Sequence, residues 1–163
     1  MAFRGVADVA IRRAGDDDVP ALARLRRAWT EEQEPSGADP DFCVDPDFEA
    51  RFAAWYRAES PRRVTWVAED EGRLVGMVNL AVFTRMPRPG RPPSRWGYLD
   101  NAFILAPYRN RGIGRRLVDA LLEYAAEQGF VRVVLSPSDR SVPFYQRAGF
   151  GRADMLMAKV IDS

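Results

Sequence analysis

The chain has 163 residues, 47% of them hydrophobic and 11% aromatic, which suits one domain with a packed core and excludes a disordered chain. Lysine and arginine number 24 against 23 aspartate and glutamate, a net charge of +1, so neither a general nucleic-acid binder nor a membrane-surface binder is expected. There is no histidine and one cysteine, Cys43, which excludes a Cys–His dyad, a Ser–His–Asp triad and an internal disulfide, and leaves no metal site expected. Positive charge is carried by arginine, since Lys159 is the only lysine. The start shows no signal-peptide pattern, and no apolar run approaches the roughly 18 residues of a membrane span. A cytoplasmic protein follows as the expectation.

Residues 6–12 alternate loosely and read as a first strand. Asp16, Asp17 and Asp18 offer N-caps, Pro20 suits a first helical turn, and Leu22, Leu25 and Trp29 lie at helical spacing. Residues 31–47, polar and holding Pro35, Gly37, Pro40 and Pro46, read as a loop. Phe48, Phe52, Trp55 and Tyr56 share one face of a second helix. Residues 64–69 and 74–83 are strands joined through Asp70-Glu71-Gly72-Arg73, a hairpin signal. Residues 85–94 are a proline-rich loop, and residues 96–105 another strand. A turn over 107–112 precedes the best helix, residues 113–128, with Ile113, Leu117, Leu121 and Tyr124 on one face and Gly129 at its end. A buried-type strand at 131–135, a loop at 136–140, a short helix at 142–148 and a final strand at 150–160 complete the order β-α-α-β-β-β-α-β-α-β. A helix between the strands at 96–105 and 131–135 makes a parallel crossover, whereas the hairpin is antiparallel. A mixed α/β sheet with helices on both faces is predicted.

The chemistry concentrates in residues 99–117, a strand, a tight turn rich in arginine and glycine, and a helix start. A helix N-terminus presents free N–H groups and partial positive charge. Gly112 and Gly114 lack Cβ atoms, so their amides can approach an oxyanion such as a pyrophosphate, and Arg109, Arg111 and Arg115 add charge around it. The P-loop pattern fails for want of a Gly-Lys pair, and the dinucleotide fingerprint fails because Leu117 stands where its third glycine belongs. On the turn alone, a ligand-free glycine-rich turn is an equal reading.

The run Arg109-x-x-Gly112-x-Gly114, after a strand and opening a helix, resembles the [QR]-x-x-G-x-[GA] acetyl-CoA signature of the GNAT superfamily of N-acyltransferases. Downstream, Tyr145-Gln146-Arg147-Ala148-Gly149-Phe150 is similar to the family's late Tyr-x-x-x-Gly-Phe segment, and Ile11-Arg12-Arg13-Ala14 followed by aspartates is similar to its usual start. The resemblance spans nearly the whole chain in element order, its specific motifs about residues 98–150. It implies one domain over residues 1–163. It also implies a mixed, mostly antiparallel sheet of about six to seven strands, flanked by about four helices and splayed between strands four and five.

For function, the resemblance implies an N-acetyltransferase that moves an acetyl group from acetyl-CoA to a primary amine of a small molecule, directly in a ternary complex. The amides of Asn110, Arg111, Gly112, Ile113, Gly114 and Arg115 would bind the pyrophosphate, behind Arg109 of the signature. Ala102, Phe103 and Ile104 would pair with the pantetheine arm as an added strand. An N–H near Ile104 would stabilise the oxyanion. Tyr145 would protonate the leaving thiolate, or it packs between helix and sheet. Asp100 would act as general base through water, beside Asn101, or it is a hydrogen-bonded strand residue. Ser138 stands where many members carry an asparagine that contacts the cofactor, and reads equally as a cap serine.

The resemblance places the acceptor among the first two helices and the loop between the third and fourth strands. Trp29, Phe42, Phe48, Phe52, Trp55, Tyr56, Met86 and Trp96 are available there for a flat or cationic molecule. Glu31, Glu32, Glu34, Asp45 and Asp47 would attract a cationic amine, or form a solvated loop. Family habit implies a homodimer, with no nucleic-acid or membrane partner. The rival readings are an acyl-CoA-binding domain without catalysis and a protein or peptide N-acetyltransferase.

Overall fold

The computed structural model describes residues 9–33 and 45–161. Five strands form one sheet in the order β1-β2-β3-β4-β5: β1 (Ala10–Arg13), β2 (Arg63–Asp70), β3 (Arg73–Thr84), β4 (Arg95–Ile104) and β5 (Phe130–Leu135). The first four are antiparallel neighbours, and β5 lies parallel to β4. Helices α1 (Val19–Gln33) and α2 (Phe48–Glu59) cover one face, α3 (Ile113–Glu127) the other, and α4 (Val142–Arg147) follows β5. This is the mixed α/β sheet with helices on both faces that the sequence predicts.

The local reasons are readable. Glu71 (φ 48°) and Gly72 (φ 79°) both adopt left-handed backbone at the hairpin tip, the geometry that fits the twist of two tightly joined strands. The crossover helix α3 starts at Gly112 and closes at Gly129 (φ 66°). Its buried stripe of Ile113, Leu117, Val118 and Leu121 packs on Trp66, Val75, Val78, Leu80 and Leu99. On the opposite face, Leu22 and Leu25 of α1 pack on Val67, Leu74, Met77 and Phe103. Strand β3 is therefore buried on both sides from Leu74 to Ala81.

A bulge decides which β4 side chains meet which layer. Between β3 and β4, Asn79 faces Asn101 while Leu80 faces Leu99, so Asp100 is an extra residue. In an unbroken strand Leu99 and Phe103 would share a face. The inserted Asp100 instead sends Leu99 to the α3 layer and Phe103 to the α1 layer. Pairing of β4 with β5 also ends here, at Leu99 opposite Leu135. Pro137 follows two residues later and cannot extend a ladder. Residues 100–104 consequently have β3 on one side and no strand on the other, the splay expected between the fourth and fifth strands.

Several expectations change at the ends. The first strand is Ala10–Arg13 rather than 6–12, with residues 6–8 outside the described part. Helix α1 runs on to Gln33, so Glu31 and Glu32 are helical, and Glu34, Phe42 and Cys43 lie outside the described residues. The expected final strand is not formed. Phe150 packs against Tyr145 with ring centroids 5.7 Å apart, and residues 151–161 then run exposed without regular structure. Met155, Leu156, Met157, Val160 and Ile161 supply strand-like composition, but a strand exists only where its backbone finds a ladder partner, and none adjoins it. Its absence leaves the described sheet at five strands rather than six to seven.

Leu121 is fully buried between α3 and the sheet. Leu121→Ala is expected to lower stability by about 2–5 kcal/mol, read as an earlier urea midpoint at unchanged slope.

Candidate functional site

The gap between β4 and β5 opens into a cleft of about 840 Å³. Strand residues 100–104 form one wall, the segment after Leu135 and helix α4 the other, and the first turn of α3 lies at one end. The N–H of Leu105 donates to the carbonyl of Val75 on β3 at 2.9 Å. Strand alternation therefore turns the backbone groups of Ile104, and of Ala102 two residues before it, away from β3 and into the cleft. The Ile104 carbonyl there accepts a hydrogen bond from Arg109 Nε at 2.8 Å. Phe103 presents its backbone to β3 and its ring to the α1 layer.

At the turn, Asn110 (φ 58°) and Gly112 (φ 76°) take left-handed backbone, which aims successive amides toward the start of α3. The helix leaves its first N–H groups without intrahelical acceptors, and Asn110, Gly112, Ile113, Gly114 and Arg115 all line the cleft. The two glycines differ. The φ of Gly112 is one that side-chain-bearing residues resist, whereas a Cβ at Gly114 would meet Phe144 at 3.6 Å and Ile104 at 3.8 Å, ordinary contacts.

The three turn arginines have different surroundings. Arg109 reaches across to α1, where Glu32 accepts from Nη2 at 2.5 Å, and it lies over the Phe103 ring. It clasps the end of β4 to α1. Arg115 lies on the cleft wall, paired with Asp119 at 2.7 Å and donating to the Arg147 carbonyl at 2.9 Å. Arg111 is off the wall, over the ring of Tyr108. Arg140 and Arg147 also line the cleft; Arg140 lies in no motif, and Arg147 fills a variable position of the Tyr-x-x-x-Gly-Phe segment.

Tyr145 comes from α4 and is packed between the rings of Phe144 and Phe150. Burial raises its pKa above the ordinary value of 10, so the phenol stays protonated through the neutral range. Its ring lines the cleft, as does Ser138. The Ser138 carbonyl accepts from the N–H groups of Ser141 and Val142, and its hydroxyl lies 3.1 Å from that of Ser141. Ser138 thus shapes the loop entering α4 while one side of it faces the cleft.

A second cavity, about 440 Å³, lies between α1, α2 and the sheet and shares Met77, Asp100 and Asn101 with the first. The bulge at Asp100 explains the sharing, because two successive β4 side chains face the same side. Asp100 accepts from Arg63 Nη1 at 2.8 Å and is 45% exposed. The same Arg63 nitrogen donates to Asn79 Oδ1 at 2.8 Å, and Asn79 Nδ2 donates to Thr65 at 2.7 Å. Phe48, Phe52, Trp55 and Tyr56 form an aromatic wall.

Other residues expected near an acceptor are elsewhere. Trp29 lines the first cleft, Trp96 stacks on Phe83 with centroids 4.4 Å apart, and Met86 is exposed. Asp45 is engaged by Arg51, Glu32 by Arg109, and neither Glu31 nor Asp47 lines the cavity. The second cavity is instead lined by Arg26, Arg51 and Arg63 against Asp100.

Comparison with known proteins agrees with this geometry. The model of the acetyltransferase (GNAT) family matches residues 22–150. Glucosamine 6-phosphate N-acetyltransferase of Trypanosoma brucei brucei is 33% identical over 82 residues, 50% of this chain and 54% of that protein, so the match spans about half the relative's length. A GCN5-related N-acetyltransferase from Ralstonia eutropha JMP134 superposes with a TM-score of 0.71 at 27% identity, over 94% of this chain and 98% of that one. A structure from Clostridium acetobutylicum, described as a predicted acetyltransferase with acetyl-CoA, has the same fold, with a TM-score of 0.72 at 19% identity over 93% and 96% of the two chains.

Gly112→Val would force a β-branched residue into left-handed backbone. It is expected to distort the first turn of α3 and to weaken coenzyme A binding at least about tenfold, the order of 1–2 kcal/mol of strain. Calorimetry checks it, and an unaltered affinity would remove the turn from the site.

Proposed function

Because this chain belongs to the acetyltransferase (GNAT) family, we propose that it transfers the acetyl group of acetyl-CoA to a primary amine of a small molecule, directly in a ternary complex. The observation that carries this reading is the free edge of β4. It runs from a chamber at Asp100 to the N-terminus of α3, with the Tyr145 side chain on the same cleft. An extended pantetheine arm fits such an edge as an added strand, against the backbone of Ala102 and Ile104. The amides of residues 110–115 then receive the pyrophosphate. The relative from Trypanosoma is named for a small amino sugar phosphate, and the Clostridium structure for acetyl-CoA. The first favours a metabolite acceptor, and both favour an acetyl donor. The second cavity, about 440 Å³ between α1, α2 and the sheet, is of a size that suits a small molecule.

In this mechanism the thioester carbonyl oxygen points at the N–H of Ile104, which stabilises the tetrahedral oxyanion. The acceptor amine enters from the second cavity, past the Asp100 bulge, and its lone pair attacks the carbonyl carbon. Asp100 takes the amine proton through water while Arg63 holds the carboxylate in place. As the C–S bond breaks, Tyr145 gives its proton to the departing thiolate. Ser138 holds the loop that faces the pantetheine. The same proposal includes a single domain over residues 1–163 and a cytoplasmic homodimer. Among the described residues, no helix is long and apolar enough to cross a membrane.

Thiol release from acetyl-CoA across a panel of amines and peptides tests the reading, with release on small amines expected. Release on peptides alone would favour a protein acceptor, and binding without release would favour a non-catalytic domain. Tyr145→Phe is expected to lower kcat about 10²-fold with little change in CoA affinity, and an unchanged kcat would remove it as the acid. The folded-state pKa of Tyr145 lies above the ordinary value, so the neutral phenol is the favoured form. Its acid function, and the stability tied to it, should hold up to about pH 10 and decline only as pH rises through that higher value. A pH–rate profile at saturating substrates checks this, with Tyr145→Phe as the control.

A further inference from the structure

The second cavity has a charge that an ordinary amine acceptor does not explain. Three guanidinium groups line it and one carboxylate does. Arg63 is matched by Asp100 and Glu59, the latter at 3.2 Å, and Arg51 is matched by Asp45. Arg26 differs. Among the described residues no carboxylate stands within ion-pair distance of it. Its polar contact is a long one, 3.4 Å from Nη1 to Asn101 Oδ1, and its guanidinium carbon lies over the Trp29 ring, 4.1 Å from the centroid. Contact with a ring satisfies no N–H, so the guanidinium keeps donors for a further partner at the cavity it lines. Burial works against its charge, and the nearby Asp100 only partly offsets this. A half-buried cation held over a ring and lining a chamber is a receptor for an anion.

We propose that the acceptor amine carries an anionic group, a carboxylate or a phosphate, and that Arg26 receives it in the second cavity. This rests on the transfer reading above and adds the substrate class. The anion sits against the Arg26 guanidinium, beneath α1, while the aromatic wall of Phe52, Trp55 and Tyr56 receives the body of the molecule. The amine is then directed at the shared opening beside Asp100 and Met77. Planar guanidinium recognition suits both carboxylate and phosphate, so the chemistry is common to the two. The arrangement reverses the expectation of an acidic surface drawing in a cationic amine.

The test uses full-length protein and two matched pairs: phenethylamine with phenylalanine, and glucosamine with glucosamine 6-phosphate. Acetyl-CoA affinity is measured first, by calorimetry, for the wild type, Arg26→Gln and Arg26→Lys. Thiol release then gives kcat/KM for each amine. The anionic member of at least one pair should be preferred at least tenfold, with the favoured pair identifying carboxylate or phosphate. Arg26→Gln should abolish that preference chiefly through KM, Arg26→Lys should retain part of it, and acetyl-CoA affinity should be the same in all three. Equal use of neutral and anionic members, or a preference that survives Arg26→Gln, overturns the inference. If no pair is turned over, binding of the same four compounds to the CoA-loaded protein decides. Anionic members bound only with Arg26 intact support it, whereas equal binding or none overturns it. Failure to bind acetyl-CoA overturns the transfer reading, and this inference with it, before any acceptor is added.

Discussion

The single inserted residue in β4 is the constraint on which the site depends. By adding Asp100 opposite no partner, the chain reverses the facing of everything after it. Leu99 belongs to the α3 core and Phe103 to the α1 core, and both are almost completely buried. A strand with the usual alternation could satisfy only one of these layers. The same bulge coincides with the end of pairing to β5, so the backbone beyond it is held by β3 alone. An unpaired strand edge in a protein interior is costly unless something accepts its hydrogen bonds. In this fold a cleft lies along that edge, and Arg109 reaches back to use one of its carbonyls.

Arginine is the second organising theme, and its roles divide by position rather than by number. Arg109 ties α1 to the end of β4, Arg115 ties α3 to the last residue of α4, and Arg63 links α2 to the bulge through Glu59 and Asp100. These are clasps between elements that border the two cavities. Each joins parts whose relative placement sets the width of the cleft. Partly exposed pairs of this kind contribute little to global stability. Their contribution is orientation of the segments that would meet a donor and an acceptor.

Much of this was legible in the chain because it is local. The hairpin at Asp70-Glu71-Gly72-Arg73, the stripe of α3 and the Arg109-x-x-Gly112-x-Gly114 turn each depend on neighbours in sequence, and each forms where its pattern lies. The splay was expected from resemblance, but its cause was not visible. A bulge depends on which partner residue is skipped, and Asn79 and Asp100 are distant in sequence. The same reason hid Arg26, Arg63 and Asn79, which meet only when α1, β2, β3 and β4 are assembled. Composition misled at residues 150–160, where strand-forming residues have no neighbouring edge to pair with. It misled again at the acidic residues Glu32, within α1, and Asp45, because both are already engaged by arginines.

The central claim is that the outward backbone of β4 after the bulge is a ladder waiting for the donor molecule. Residue-resolved amide hydrogen exchange, with and without acetyl-CoA, addresses it directly. The account predicts that the amides of Ala102 and Ile104 exchange fast in the free protein and slow markedly when acetyl-CoA is added, while that of Phe103, already facing β3, is protected in both. Equal exchange at Ala102 and Ile104 in the two states, at acetyl-CoA concentrations that saturate the protein, would contradict it.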